Sequence, residues 1–166
     1  MTDIGVLSAS DERALVAALT AGTLSEVAPE EIPSFEADRD VYLNGGQPRA
    51  AGRVDRQLGI GLEIAVMLTP AVVAAARAVV RILAEALADS AVSETKAAVA
   101  AWVHHVLHPG KAAVPAPTFS SQDLSLIRTT VREVCRQMRT DDHDAELISD
   151  ALVGRLVTAA SLNAPA

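Results

Sequence analysis

The sequence predicts a mainly α protein, a small helical bundle of about five helices that admits a short β element between residues 41 and 68. Three observations carry this reading. Half of the 166 residues are apolar but only 2% are aromatic, so the core has to be built from Ala, Val, Leu and Ile. Small side chains let helix axes approach and Ala has the highest helix propensity, whereas a β core draws on Thr, Tyr and Phe. Apolar residues also recur at helical spacing, and Ser8 with Asp11 and Ser120 with Asp123 have the spacing of capping boxes.

The first helix is expected from Ser8, with Leu15, Val16 and Leu19 on its apolar face and Gly22 as its stop. Thr23 and Glu26 repeat the cap pattern for one turn, which Pro29 and Pro33 keep short. Residues 26–40 hold six acids, Glu26, Glu30, Glu31, Glu36, Asp38 and Asp40, against the single base Arg39. That is the pattern of a solvated connector, with an acidic bait for a basic partner as its functional alternative. Residues 41–43, followed by Asn44 and Gly45, read as a short strand entering a turn.

Arg49, Arg53 and Arg56 then form a basic cluster ahead of the longest apolar stretch, residues 58–87. Between 58 and 68 a large aliphatic occupies every even position, which suits a strand; from Ala65 onward the same residues equally suit the start of a helix. Within residues 58–76 only Glu63 is ionisable, a length close to that of a bilayer span. Eight Leu, Ile and Val residues there gain about 3–5 kcal/mol on insertion, and one central acid costs about 2.5–3.5 kcal/mol. Gly59, Gly61 and Pro70 interrupt the helix that would satisfy the backbone in lipid, so the stretch is expected to be folded inward as core.

Thr69 as N-cap and Pro70 at the first helical position open a second helix running to about Asp89, with Val72, Ala76, Val79, Val80, Leu83 and Leu87 turned inward. A third helix starts at Ser93 and carries Val99, Trp102, Val103 and Val106 toward the core before Pro109 and Gly110 stop it. The predicted organisation is a helical domain over 1–108, a Pro-containing linker over 109–119 and a C-terminal antiparallel helical pair over 120–160. In that pair Leu124, Ile127, Val131, Val134, Cys135 and Met138 line one helix, and Leu147, Ile148, Ala151, Leu152 and Leu156 the other.

A formal net charge of −7 argues against general nucleic-acid binding, because a phosphate backbone has to be met by a surplus of Lys and Arg. The single Cys135 excludes an internal disulfide and supplies no zinc framework, which fits a reducing compartment and a cytoplasmic location. The N-terminus, beginning Met1, Thr2 and Asp3, lacks the basic segment followed by an apolar one that would mark a signal peptide.

Among residues that could carry chemistry, His104 and His108 stand four apart but lack a third ligand, and imidazoles at a helix C-terminus are favoured by the macrodipole alone. Neither a metal nor any other cofactor is expected. Arg128, Arg132, Arg136 and Arg139 form a basic line that is either a docking stripe or pairs with Glu133, Asp144, Glu146 and Asp150; pairing is the preferred reading. Arg49, Arg53 and Arg56 are further interaction candidates, and Glu63 is the candidate buried charge. No nucleophile, base and orienting acid can be grouped. The expected function is therefore a non-enzymatic protein-interaction or accessory module, its partner another protein or a further copy of itself. The alternative is a membrane-active protein whose residues 58–87 meet a bilayer, with the three arginines on anionic headgroups.

Overall fold

The computed structural model describes residues 7–46, 68–89, 93–108 and 119–161. Those residues are helical throughout, apart from caps and turns. The elements are α1 (Ala9–Val27), a 3-10 turn (Pro29–Glu31), α2 (Ile32–Ala37), α3 (Arg39–Leu43), α4 (Thr69–Ala88), α5 (Ser93–Leu107), α6 (Ser121–Gln137) and α7 (Asp142–Ser161). The mainly α prediction holds, with short helices α2 and α3 in addition to the five long ones.

Helix α4 is the hub. It packs on α1, α3, α5 and α6, and α7 closes the bundle against α1, α5 and α6. Val72, Ala76, Val79, Val80, Leu83 and Leu87 are all buried, as their spacing predicts. They belong to one continuous apolar cluster that also takes in Leu15, Trp102, Ile127 and Leu152, so the C-terminal pair shares the core of the preceding helices. Leu68 is buried at the start of α4, and residues 47–67, including the undecided strand or helix, lie outside the described residues. So does most of the proposed linker.

Both serine capping boxes form. The Ser8 hydroxyl accepts from the Asp11 N–H at 3.1 Å, and the Ser120 hydroxyl accepts from the Asp123 N–H at 3.1 Å, with each aspartate returning to its serine. Phe119 and Leu124 take the flanking staple positions, buried and half-buried. Helix α7 is capped by Asp141, whose Oδ1 accepts from the Asp144 N–H at 2.9 Å; that backbone bond, first among several causes, holds the Asp141 carboxyl below its ordinary value.

Five expectations are corrected. Gly22 does not stop α1, which continues to Val27, because the position serves packing instead. The Arg155 guanidinium crosses α1 there and donates to the Gly22 carbonyl at 2.7 Å, and a Cβ on Gly22 would lie 2.8 Å from Arg155 Cζ. The actual stop is Ala28, whose φ of −154° leaves the helix ahead of Pro29. Residues 41–43 are not a strand but belong to α3. A strand needs a ladder partner that the described residues do not offer, whereas a helical turn satisfies its own backbone. The predicted Asn-Gly turn survives as that helix's end: Gly45, at φ +79°, donates to the Tyr42 carbonyl at 3.1 Å and Gly46 to the Val41 carbonyl at 2.9 Å, the two bonds of a Schellman cap.

The acidic connector is not simply solvated. It folds into the 3-10 turn, α2 and α3, and inserts Phe35 and Tyr42 into the core with ring centroids 6.0 Å apart. Thr69, finally, is not an N-cap acceptor but the first residue of α4, and its hydroxyl donates to Glu31 at 2.6 Å. Glu31 also accepts from the N–H of Leu68 and of Thr69, both at 2.8 Å, so a carboxylate remote in sequence caps the hub helix. In α7, Leu147 also departs from expectation, lying 41% exposed on the outer face while Ile148, Ala151, Leu152 and Leu156 are buried.

Candidate functional site

The arginine line on α6 is largely consumed by ion pairs. Arg128 meets Asp150 at 3.1 Å, Arg132 meets Glu146 at 3.0 Å, and Arg136 meets Glu133. The partners of Arg128 and Arg132 run in opposite directions along α7, which fixes α6 and α7 as an antiparallel pair. These contacts lie in solvent, the Arg132 and Glu146 side chains being 44% and 61% exposed, so each is weak. Arg132→Ala is expected to lower stability by about 0.2–1 kcal/mol in urea titration. Arg139 serves the backbone instead: at φ 60° it donates to the Arg136 carbonyl while Thr140 donates to the Cys135 carbonyl, a Schellman cap built on a non-glycine residue. Because a left-handed conformation costs an L-residue about 1–2 kcal/mol, Arg139→Gly is expected to raise the unfolding free energy by about 0.5–1 kcal/mol.

Other candidates come together less. His104 and His108 lie with ring centroids 5.0 Å apart and planes tilted by 59° at the end of α5, and no group of three metal-ligating residues occurs among the described residues. Cys135 is fully buried, and burial pushes its thiol up to about 11, which keeps it a small core residue and not a nucleophile. Arg49, Arg53, Arg56 and Glu63 lie outside the described residues.

Two grooves emerge that sequence spacing does not reveal. The larger, about 560 Å³, runs between α1 and α4 under α3 and mixes charged with aliphatic side chains. Arg13, Arg77 and Arg81 line it, and Glu12 and Glu85 oppose them. Arg13 is spent on Asp40 and Asn44, each at 2.8 Å, and Arg77 on the Tyr42 carbonyl at 2.7 Å, so these side chains hold α3 in place. The smaller, about 280 Å³, lies where α4, α5 and the start of α6 converge. Its floor is Ile82, Leu83, Ala86, Val99, Phe119 and Ile127, and its rim is Glu85, Asp89, Asp123 and Leu126. Leu126 is 56% exposed, the most exposed large aliphatic of the described residues. The capping box and staple at the start of α6 position this edge: they fix Phe119 against the floor and turn Leu126 outward, one residue before the buried Ile127.

Comparison with protein-family models, curated proteins and solved structures finds no match. In the larger groove Arg13 and Arg77 are committed to holding α3. The apolar one ends in an uncovered leucine.

Proposed function

We propose that this chain is a non-enzymatic, cytoplasmic accessory module that docks a protein partner in the groove between α4, α5 and α6. The observation that carries the reading is Leu126, more than half exposed at the edge of a preformed apolar depression floored by Phe119 and Ile82. Exposed apolar surface with a polar rim is the usual composition of a docking site, and at about 280 Å³ the depression is smaller than the about 300–1,000 Å³ typical of small-molecule pockets. A lone, buried thiol accords with a reducing compartment. No helix of the described residues is long and apolar enough to cross a membrane, and the apolar face of α4 is already taken up by protein.

The test is a photo-crosslinking residue placed at position 126 of the full chain in its native cell, compared with the same residue at Val41, an exposed aliphatic on α3. A discrete adduct formed from position 126 and absent from position 41 supports the reading. Equal adducts from both positions, or none, contradict it.

A further inference from the structure

We infer that the larger groove, between α1 and α4, binds a small aliphatic ω-amino acid, its carboxylate toward the arginines and its ammonium toward the glutamates. At about 560 Å³ the groove falls within the about 300–1,000 Å³ typical of small-molecule sites, and the inference does not depend on the docking edge at Leu126. Three arginines and two glutamates line it, but Arg13 is already paired with Asp40. Arg77 donates to a neutral acceptor, the Tyr42 carbonyl, so its charge is left over together with that of Arg81. Two positive charges, Arg77 and Arg81, then stand against two negative ones, Glu12 and Glu85. Among the described residues none of these four closes an ion pair.

The reason lies in their order along α4. Arg77, Arg81 and Glu85 follow one another at i,i+4 spacing; the two arginines repel there, and a base placed N-terminal to an acid is the weaker orientation of such a pair. Opposite charges therefore share one groove with little to gain from each other. A ligand carrying both signs meets both, whereas a simple anion faces two carboxylates and a simple cation two guanidinium groups. The α3 end of the groove is basic, because Arg13 and Arg77 both reach α3, and Glu85 follows Arg81 by about 6 Å along the helix axis. That separation exceeds the one between the neighbouring ammonium and carboxylate of an α-amino acid and suits charges set apart by a short methylene chain. Val16, Leu43, Val80 and Ala84 supply the apolar wall for that chain.

The test is calorimetric titration of the full-length protein with ε-aminocaproate. Its isomer norleucine, in which the two charges are adjacent, and the singly charged hexanoate and hexylamine serve as comparisons. ε-Aminocaproate is expected to bind saturably and at least about tenfold more tightly than any of the three. Arg81→Gln and Glu85→Gln, both at exposed positions where substitution leaves the fold intact, should each weaken it by about tenfold. Arg132→Gln and Glu30→Gln remove exposed charges outside the groove and should leave binding within about twofold. Absence of saturable heat would overturn the inference. So would equal binding of norleucine, hexanoate or hexylamine, or equal losses from the variants inside and outside the groove.

Discussion

Phe35→Ala is expected to lower the unfolding free energy by about 3–5 kcal/mol, the loss typical of truncating a fully buried aromatic. Phe35 lies in α2, six residues that cannot hold helical structure alone, within the most acidic part of the chain. Its ring is completely enclosed and rests against Tyr42, so it anchors the segment between α1 and the rest of the bundle. Without it, α2 and α3 lose their main apolar tie, and the urea midpoint should fall with little change in slope. A loss below about 1 kcal/mol would return residues 26–40 to the status of a solvated connector.

Glu31→Ala is expected to cost about 2–3 kcal/mol, more than an ordinary surface cap, because one carboxylate accepts from three donors at a partly buried helix start. Thr69 is fully buried, so its hydroxyl is left without a partner once the carboxylate is removed. Glu31→Gln keeps one acceptor oxygen and should fall between wild type and Glu31→Ala. Thermal unfolding of the three proteins checks that order. Equal stability of Glu31→Ala and wild type would show that α4 needs no remote cap.

Features encoded within a few residues of themselves were legible in the sequence. The boxes at Ser8 and Ser120, the inward face of α4, the stop after α5 and the turn at Gly45 all depend on local hydrogen bonding or on spacing along one helix. The errors arose where a distant residue decides. Gly22 resembles a helix stop until Arg155 is seen to cross it. Thr69 resembles an N-cap until Glu31 reaches it, although the first turn of α4 holds no acid, which leaves room for a capping carboxylate from elsewhere. The Asn-Gly turn after residues 41–43 suggests a strand, but two aromatics seven residues apart, Phe35 and Tyr42, hold the better clue to helices packed on the core.

The candidate site was legible in part. The partners Glu146, Asp150 and Glu133 were within reach along the sequence, so pairing of the arginine line could be read from spacing. The groove could not be. Glu85 and Asp89 meet Phe119 and Leu126 only because α4 packs on α6, and no spacing rule connects those two helices.

Helix α4 is the hub of the bundle, and its apolar face is packed inward. Native-state hydrogen exchange over Thr69–Ala88, with and without anionic vesicles, tests this most directly. The amides of Val72, Val79, Val80, Leu83 and Leu87 are expected to exchange only through global unfolding, at rates that vesicles leave unchanged. Exchange through local opening at those positions, or rates altered by lipid, would contradict it.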